Sequence, residues 1–236
     1  MTSRQVICGT QHEVLPPIYN MNASKKISVV IFDCDGVMFD SRQANINFYN
    51  HLLGLFDLPP MPEEAISYVH MHTGDESVRY IFRGTPYVEE AQAYRLNMDY
   101  SPFIKDMIIE PDLKELLTWL APAFGLAVAT NRSNTIGDVL EYHGLGEFFD
   151  IVVSSLDVSR PKPDPEAIYT ILNFFGISTD QSLYVGDSQV DYETARAARV
   201  PFVSYKNDVL KTPWKIKNLL EVKEILKKLE SDGTLS

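Results

Sequence analysis

The chain has 236 residues, 45% hydrophobic and 22% charged, with a formal net charge of −11. That length allows one domain carrying a substantial insertion, and the composition is globular, which excludes a disordered chain. The acidic balance repels nucleic acid and anionic membranes, no apolar run reaches the length of a membrane span, and the first residues lack a signal-peptide pattern. The expectation is therefore a cytoplasmic protein, a monomer or weak homodimer, whose partner is neither nucleic acid nor membrane. Cys8 and Cys34 read as free thiols.

Residues 1–26 are mixed and polar and read as an N-terminal extension. Residues 27–32 (ISVVIF) form a continuous β-branched and aromatic run, the pattern of a strand buried on both faces. Helical spacing follows in Ile46, Tyr49, Leu53 and Phe56. Further helices are expected over 63–70, 76–82 and 89–98, punctuated by Pro59-Pro60, Gly74, Gly84 and Pro102. Helix 112–120 then opens an alternation: strand 126–130, helix 134–143, strand 149–154, helix 165–175, strand 182–186, helix 189–198, strand 201–205 and helix 221–230. Alternating strands and helices imply an α/β fold with a central parallel sheet covered on both faces. The all-helical stretch after the first strand implies a small second domain over that sheet. The expected division is a core of 27–39 and 107–236 and a helical cap of 40–106.

Sites on open parallel sheets form at the carboxyl ends of the strands. After the first strand stand Asp33, Asp35 and Gly36; after the second, Thr130, Asn131 and Arg132. Lys162 stands in a Pro-flanked loop after the third strand, and Asp187, Ser188 and Asp191 follow the fourth. Asp33, Asp35 and Asp187 repel one another unless compensated, and Mg2+ suits such a set because it takes few carboxylates together with water and phosphate oxygens. Asp33 can then attack phosphorus, while the Asp35 backbone carbonyl faces the cation and its side chain protonates the leaving oxygen. Gly36 permits close approach of backbone to phosphate, and Thr130, Asn131 and Lys162 supply donors to the phosphoryl oxygens. Taken singly, each has a plain structural explanation as a helix cap, a turn residue or a solvated lysine. Together, each at a strand end, they point to phosphoryl transfer.

The same residues carry a resemblance. Asp33-x-Asp35-Gly36-Val37, Thr130-Asn131, Lys162 and Gly186-Asp187-Ser188-x-x-Asp191 match in order the four motifs of the haloacid dehalogenase superfamily. The helical insertion between the first two motifs resembles its helical-cap subgroup, and the closest pattern is similar to phosphoglycolate phosphatases. The resemblance spans about residues 27–230. It implies a Rossmannoid three-layer core and a Mg2+-dependent hydrolase forming an aspartyl-phosphate on Asp33. It also implies Asp35 as acid/base, Asp33, Asp35 and Asp187 as metal ligands, and Asp191 and Ser188 behind them. Asp35 argues against a dehalogenase, and the absence of lysine from 40–104 closes the Schiff-base route of phosphonatases. A phosphomutase of the β-phosphoglucomutase type and a non-catalytic binding module stay open. Substrate choice is expected from the cap, at the turn carrying His70, His72, Thr73 and Gly74, and from Arg79 and Arg83. Arg132 is placed to reach the mouth of the site.

Overall fold

The computed structural model describes residues 27–232. The expected N-terminal extension, with Cys8, lies outside the described residues. Six strands make one parallel sheet in the order β5-β4-β1-β6-β7-β8. They are β1 (Val29–Phe32), β4 (Gly125–Ala129), β5 (Ile151–Val153), β6 (Ser182–Gly186), β7 (Phe202–Tyr205) and β8 (Trp214–Ile216). Central β1 pairs Val29 with Gly125 of β4 on one side and with Ser182 of β6 on the other. β8 was not expected: it is three residues long, includes the exposed Lys215, and pairs only at the sheet edge.

Alternation along each strand builds two separate cores. Val30, Phe32, Leu126, Val128, Leu183 and Val185 point to one face. There they meet leucines of α6 (Leu113–Leu120) and Val139 and Leu140 of α7 (Ile136–Tyr142). Val222, Leu226 and Leu229 of α10 (Glu221–Asp232) complete that face. Val29, Ile31, Ala127, Ala129 and Tyr184 point the other way, against α8 (Glu166–Phe175) and α9 (Gln189–Ala198). Ala195 and Ala198 let α9 lie close to the sheet, and Gly176 ends α8 in the left-handed conformation.

The chain leaves the core through β2 (Phe39–Asp40) and returns through β3 (Ile108–Ile109), which pair antiparallel. Between them lie α1 (Arg42–Gly54), α2 (Glu63–Met71), α3 (Gly74–Ile81), α4 (Val88–Asn97) and the short α5 (Ser101–Ile104), an all-helical cap. Phe48, Leu52, Val69, Val78, Phe82 and Ala91 are buried in it, continuous with the first core. Glu110 fixes the return crossing. Its N–H donates to Met38 O at 3.0 Å, and its Oε2 accepts from Tyr205 Oη at 2.7 Å and Lys206 Nζ at 2.6 Å. No helix of the described residues is long and apolar enough to cross a membrane.

Candidate active site

The sequence-predicted residues converge at the carboxyl edge of the sheet. The Asp33 N–H donates to Val185 O at 2.9 Å, extending the β1–β6 ladder one residue and leaving the carboxylate at the strand end. Lys162 Nζ reaches it at 2.7 Å and also donates to Asp191 Oδ1 at 2.6 Å and Tyr184 Oη at 3.0 Å. Tyr184 Oη in turn donates to Asp191 Oδ1 at 2.6 Å. Ser188 closes the other side of Asp191: its Oγ donates to Oδ2 at 2.6 Å and accepts the Asp191 N–H at 3.1 Å. This capping box at the start of α9 explains why Ser and Asp stand three apart. With both oxygens occupied, Asp191 orients the lysine.

Asp187 approaches from the turn after β6, its backbone oxygen accepting from Asn207 Nδ2 at 2.7 Å. Gly36 makes room for it. A Cβ there would overlap the Asp187 carboxylate, and its φ of +87° favours glycine. Gly36 stands behind Asp187 and is not among the described residues that line the cavity.

The electrostatics are those of crowded acids. Oxygens of Asp33, Asp187 and Asp191 all lie within 4.8 Å of one another. Burial lifts the Asp33 carboxyl to about 7, assisted by the Asp191 charge and opposed by Lys162. Burial and the charges of Asp191 and Asp33 lift Asp187 to about 9. Asp191 stays below its ordinary value because Lys162, with Ser188 and Tyr184, outweighs burial. One lysine among three carboxylates leaves a deficit of positive charge, and an all-oxygen donor set fits a hard divalent cation.

Asp35 is held differently. Its carboxylate is paired with Arg132, which keeps it below the usual range despite burial. The Arg132 guanidinium also donates to Thr135 Oγ1 at 3.2 Å and lies 5.1 Å from the Tyr100 ring centre. Thr130 Oγ1 accepts the Arg132 N–H at 3.0 Å, and Asn131 Nδ2 donates to Lys162 O at 3.1 Å, tying the β4 end to the lysine loop.

His70, His72 and Gly74 line the same cavity as Asp33, Thr130, Lys162 and Asp187, a half-open space of about 60 Å³. Thr73 does not; it caps α3, its Oγ1 accepting the Glu76 N–H at 3.2 Å. Arg79 lies outside as well, because α3 turns it toward Asp75 at 2.9 Å and Glu89 at 3.0 Å on the exposed surface. Arg83 rests on the Tyr80 ring. The cavity-lining cation that the sequence reading missed is Arg95 of α4. Its only sequence signal was a basic residue within an otherwise ordinary helix.

The sequence profile of the family described as haloacid dehalogenase-like hydrolase matches residues 30–205, from β1 through β7. The chain belongs to this family. The haloacid dehalogenase-like relatives include a phosphoglycolate phosphatase of Pseudomonas putida, 29% identical over 184 residues, which are 74% of this chain and 68% of the relative. A solved subfamily IA, variant 1 hydrolase of the superfamily from Geobacter sulfurreducens superposes with a TM-score of 0.75 at 36% identity, covering 84% of this chain and 99% of that one. A β-phosphoglucomutase from Clostridium difficile shares the fold, with a TM-score of 0.76 at 16% identity, covering 89% of this chain and all of its own.

Proposed function

We propose that the protein is a Mg2+-dependent phosphatase that hydrolyses a small phosphate monoester of the phosphoglycolate class through an aspartyl-phosphate on Asp33. The observation that carries this reading is the Lys162 ammonium, buried between Asp33 at 2.7 Å and Asp191 at 2.6 Å with Asp187 beside them. Residues 40–106 act as the cap, and 27–39 with 107–236 as the catalytic core.

Asp33 and Asp187, with the Asp35 backbone carbonyl, would hold Mg2+, which when bound supplies charge neutralisation for the carboxylates and the incoming phosphate. Asp33 attacks phosphorus, and the bond to the leaving oxygen breaks as Asp35 delivers a proton to that oxygen. A water then attacks the aspartyl-phosphate, Asp35 takes its proton, and inorganic phosphate leaves with Asp33 restored. Lys162, Thr130 and Asn131 stabilise the non-bridging oxygens. Arg132 favours the ionised form of Asp35 in the resting site, the form that takes a proton from water in the second step. Cap and core residues together line the cavity, and the cap excludes bulk water.

The test is phosphate release from a panel of small monoesters, 2-phosphoglycolate among them, with Mg2+ or EDTA, on wild type beside Asp33→Asn. EDTA-sensitive release by wild type alone supports the reading. Undiminished release by Asp33→Asn overturns the nucleophile. Turnover of a sugar monophosphate only when a sugar bisphosphate is added replaces the phosphatase by a mutase.

A further inference from the structure

We propose that Arg95 binds a carboxylate carried by the substrate, and so selects carboxylated phosphate monoesters over neutral ones. Among the described residues, three Lys or Arg side chains line the cavity: Lys162, Arg132 and Arg95. Lys162 is committed to Asp33 and Asp191, and Arg132 to Asp35. Arg95 forms no ion pair with any described residue. Tyr49 and Asp75 act on it electrostatically, and Asp75 is paired with Arg79.

Arg95 is nonetheless 7% exposed. Its Nε donates to Gln92 Oε1 at 3.2 Å and its Nη1 to Ser133 Oγ at 3.1 Å. Gln92 is itself fixed, donating to Asp75 O at 2.7 Å. A guanidinium has five N–H donors, so these two bonds leave most of the fork open. Burying an arginine without a counter-charge is costly, and a planar fork lining a cavity matches a carboxylate in two-point geometry. The side chain is also aimed. A Cβ on Gly74 would come within 2.5 Å of Nη1 and 2.9 Å of Cζ, so the guanidinium packs against the first residue of α3. Ser133 lies three residues beyond Thr130, on the segment that carries the proposed phosphate donors. Arg95 and Asp33 line one cavity, so a monoester bound at Asp33 extends within the space that Arg95 faces.

The inference rests on the phosphatase reading for the substrate's phosphate end, but its test does not require turnover. In the full-length Asp33→Asn chain with Mg2+, calorimetric dissociation constants are measured for 2-phosphoglycolate and for ethyl phosphate, which differ by a carboxylate in place of a methyl. Arg95→Gln is expected to weaken 2-phosphoglycolate about 10- to 100-fold, the range for a charge-assisted hydrogen bond, and ethyl phosphate far less. Gly74→Ala, which displaces the guanidinium but keeps its charge, is expected to shift selectivity the same way and serves if Arg95→Gln does not fold. Equal losses on both ligands identify Arg95 as a latch between cap and core and overturn the proposal. A parent chain that binds the two ligands equally overturns it too. Selective loss of binding alongside absent phosphate release in the wild-type chain would leave the Arg95 assignment standing and remove the phosphatase reading alone.

Discussion

Arg132 grips both oxygens of Asp35, Nη2 to Oδ1 at 2.5 Å and Nε to Oδ2 at 3.1 Å, joining the residues that follow β4 and β1. The pair is almost wholly buried, with side-chain exposures of 6% and 13%. Removing one partner of a buried pair leaves an uncompensated charge, at a cost of about 3–5 kcal/mol. Arg132→Met is therefore expected to lower unfolding free energy by about that amount in urea titrations. Adding Asp35→Asn should recover much of the loss. A single variant as stable as wild type would show that the pair contributes only geometry.

Asp33→Asn separates function from stability. The carboxylate sits among like charges and burial has raised it to about 7, so its ionised form is disfavoured in the cation-free fold. The amide retains the shape and can still accept from Lys162. Phosphate release should vanish, while the melting temperature in EDTA at mildly alkaline pH should equal or exceed that of wild type. A lower melting temperature would mean that the Asp33–Lys162 ion pair outweighs the repulsion.

The central strands were legible because burial on both faces forces uninterrupted apolar runs, as in Val29–Phe32 and Gly125–Ala129. The ribbon of β2 and β3 was not, since two-residue strands carry no periodicity, and neither was four-residue α5. Among candidate residues, Asp33, Thr130, Lys162 and Asp187 could be placed because each follows a strand whose end defines an edge of the sheet. Arg79 and Arg95 show the limit. Spacing puts Arg79 and Arg83 on one face of the chain but does not say what that face meets, and α3 presents Arg79 to Asp75 and Glu89. Only the packing of α4 against the segment after β4 brings Arg95 to Ser133.

Gly36→Ala tests the position of Asp187. The new Cβ would overlap the carboxylate, and φ of +87° is unfavourable for any L side chain. The Asp187 carboxylate must shift from its place. We expect weaker Mg2+ binding and a fall in kcat of about 100-fold, the sensitivity known for misplacement by about 1 Å. Unchanged Mg2+ dependence of the rate would show that Asp187 is not needed as a ligand.

Cation binding should expel protons. Without a cation, burial and the charges of Asp191 and Asp33 hold Asp187 near 9, and Asp33 lies near 7. Both are raised from an ordinary 3.8, so the folded chain binds protons that the unfolded chain has released. Cation-free stability therefore declines as pH climbs from about 4 to about 9, and the decline should flatten once Mg2+ neutralises the carboxylates. Melting temperatures in EDTA and in MgCl2 should diverge steadily over that window. Calorimetric heats of Mg2+ binding near pH 7.5 should vary with the ionisation enthalpy of the buffer, because the Asp187 proton passes to it. Heats that are the same in every buffer would mean that Asp187 is already ionised before the cation arrives, with a countercharge other than Lys162 compensating it.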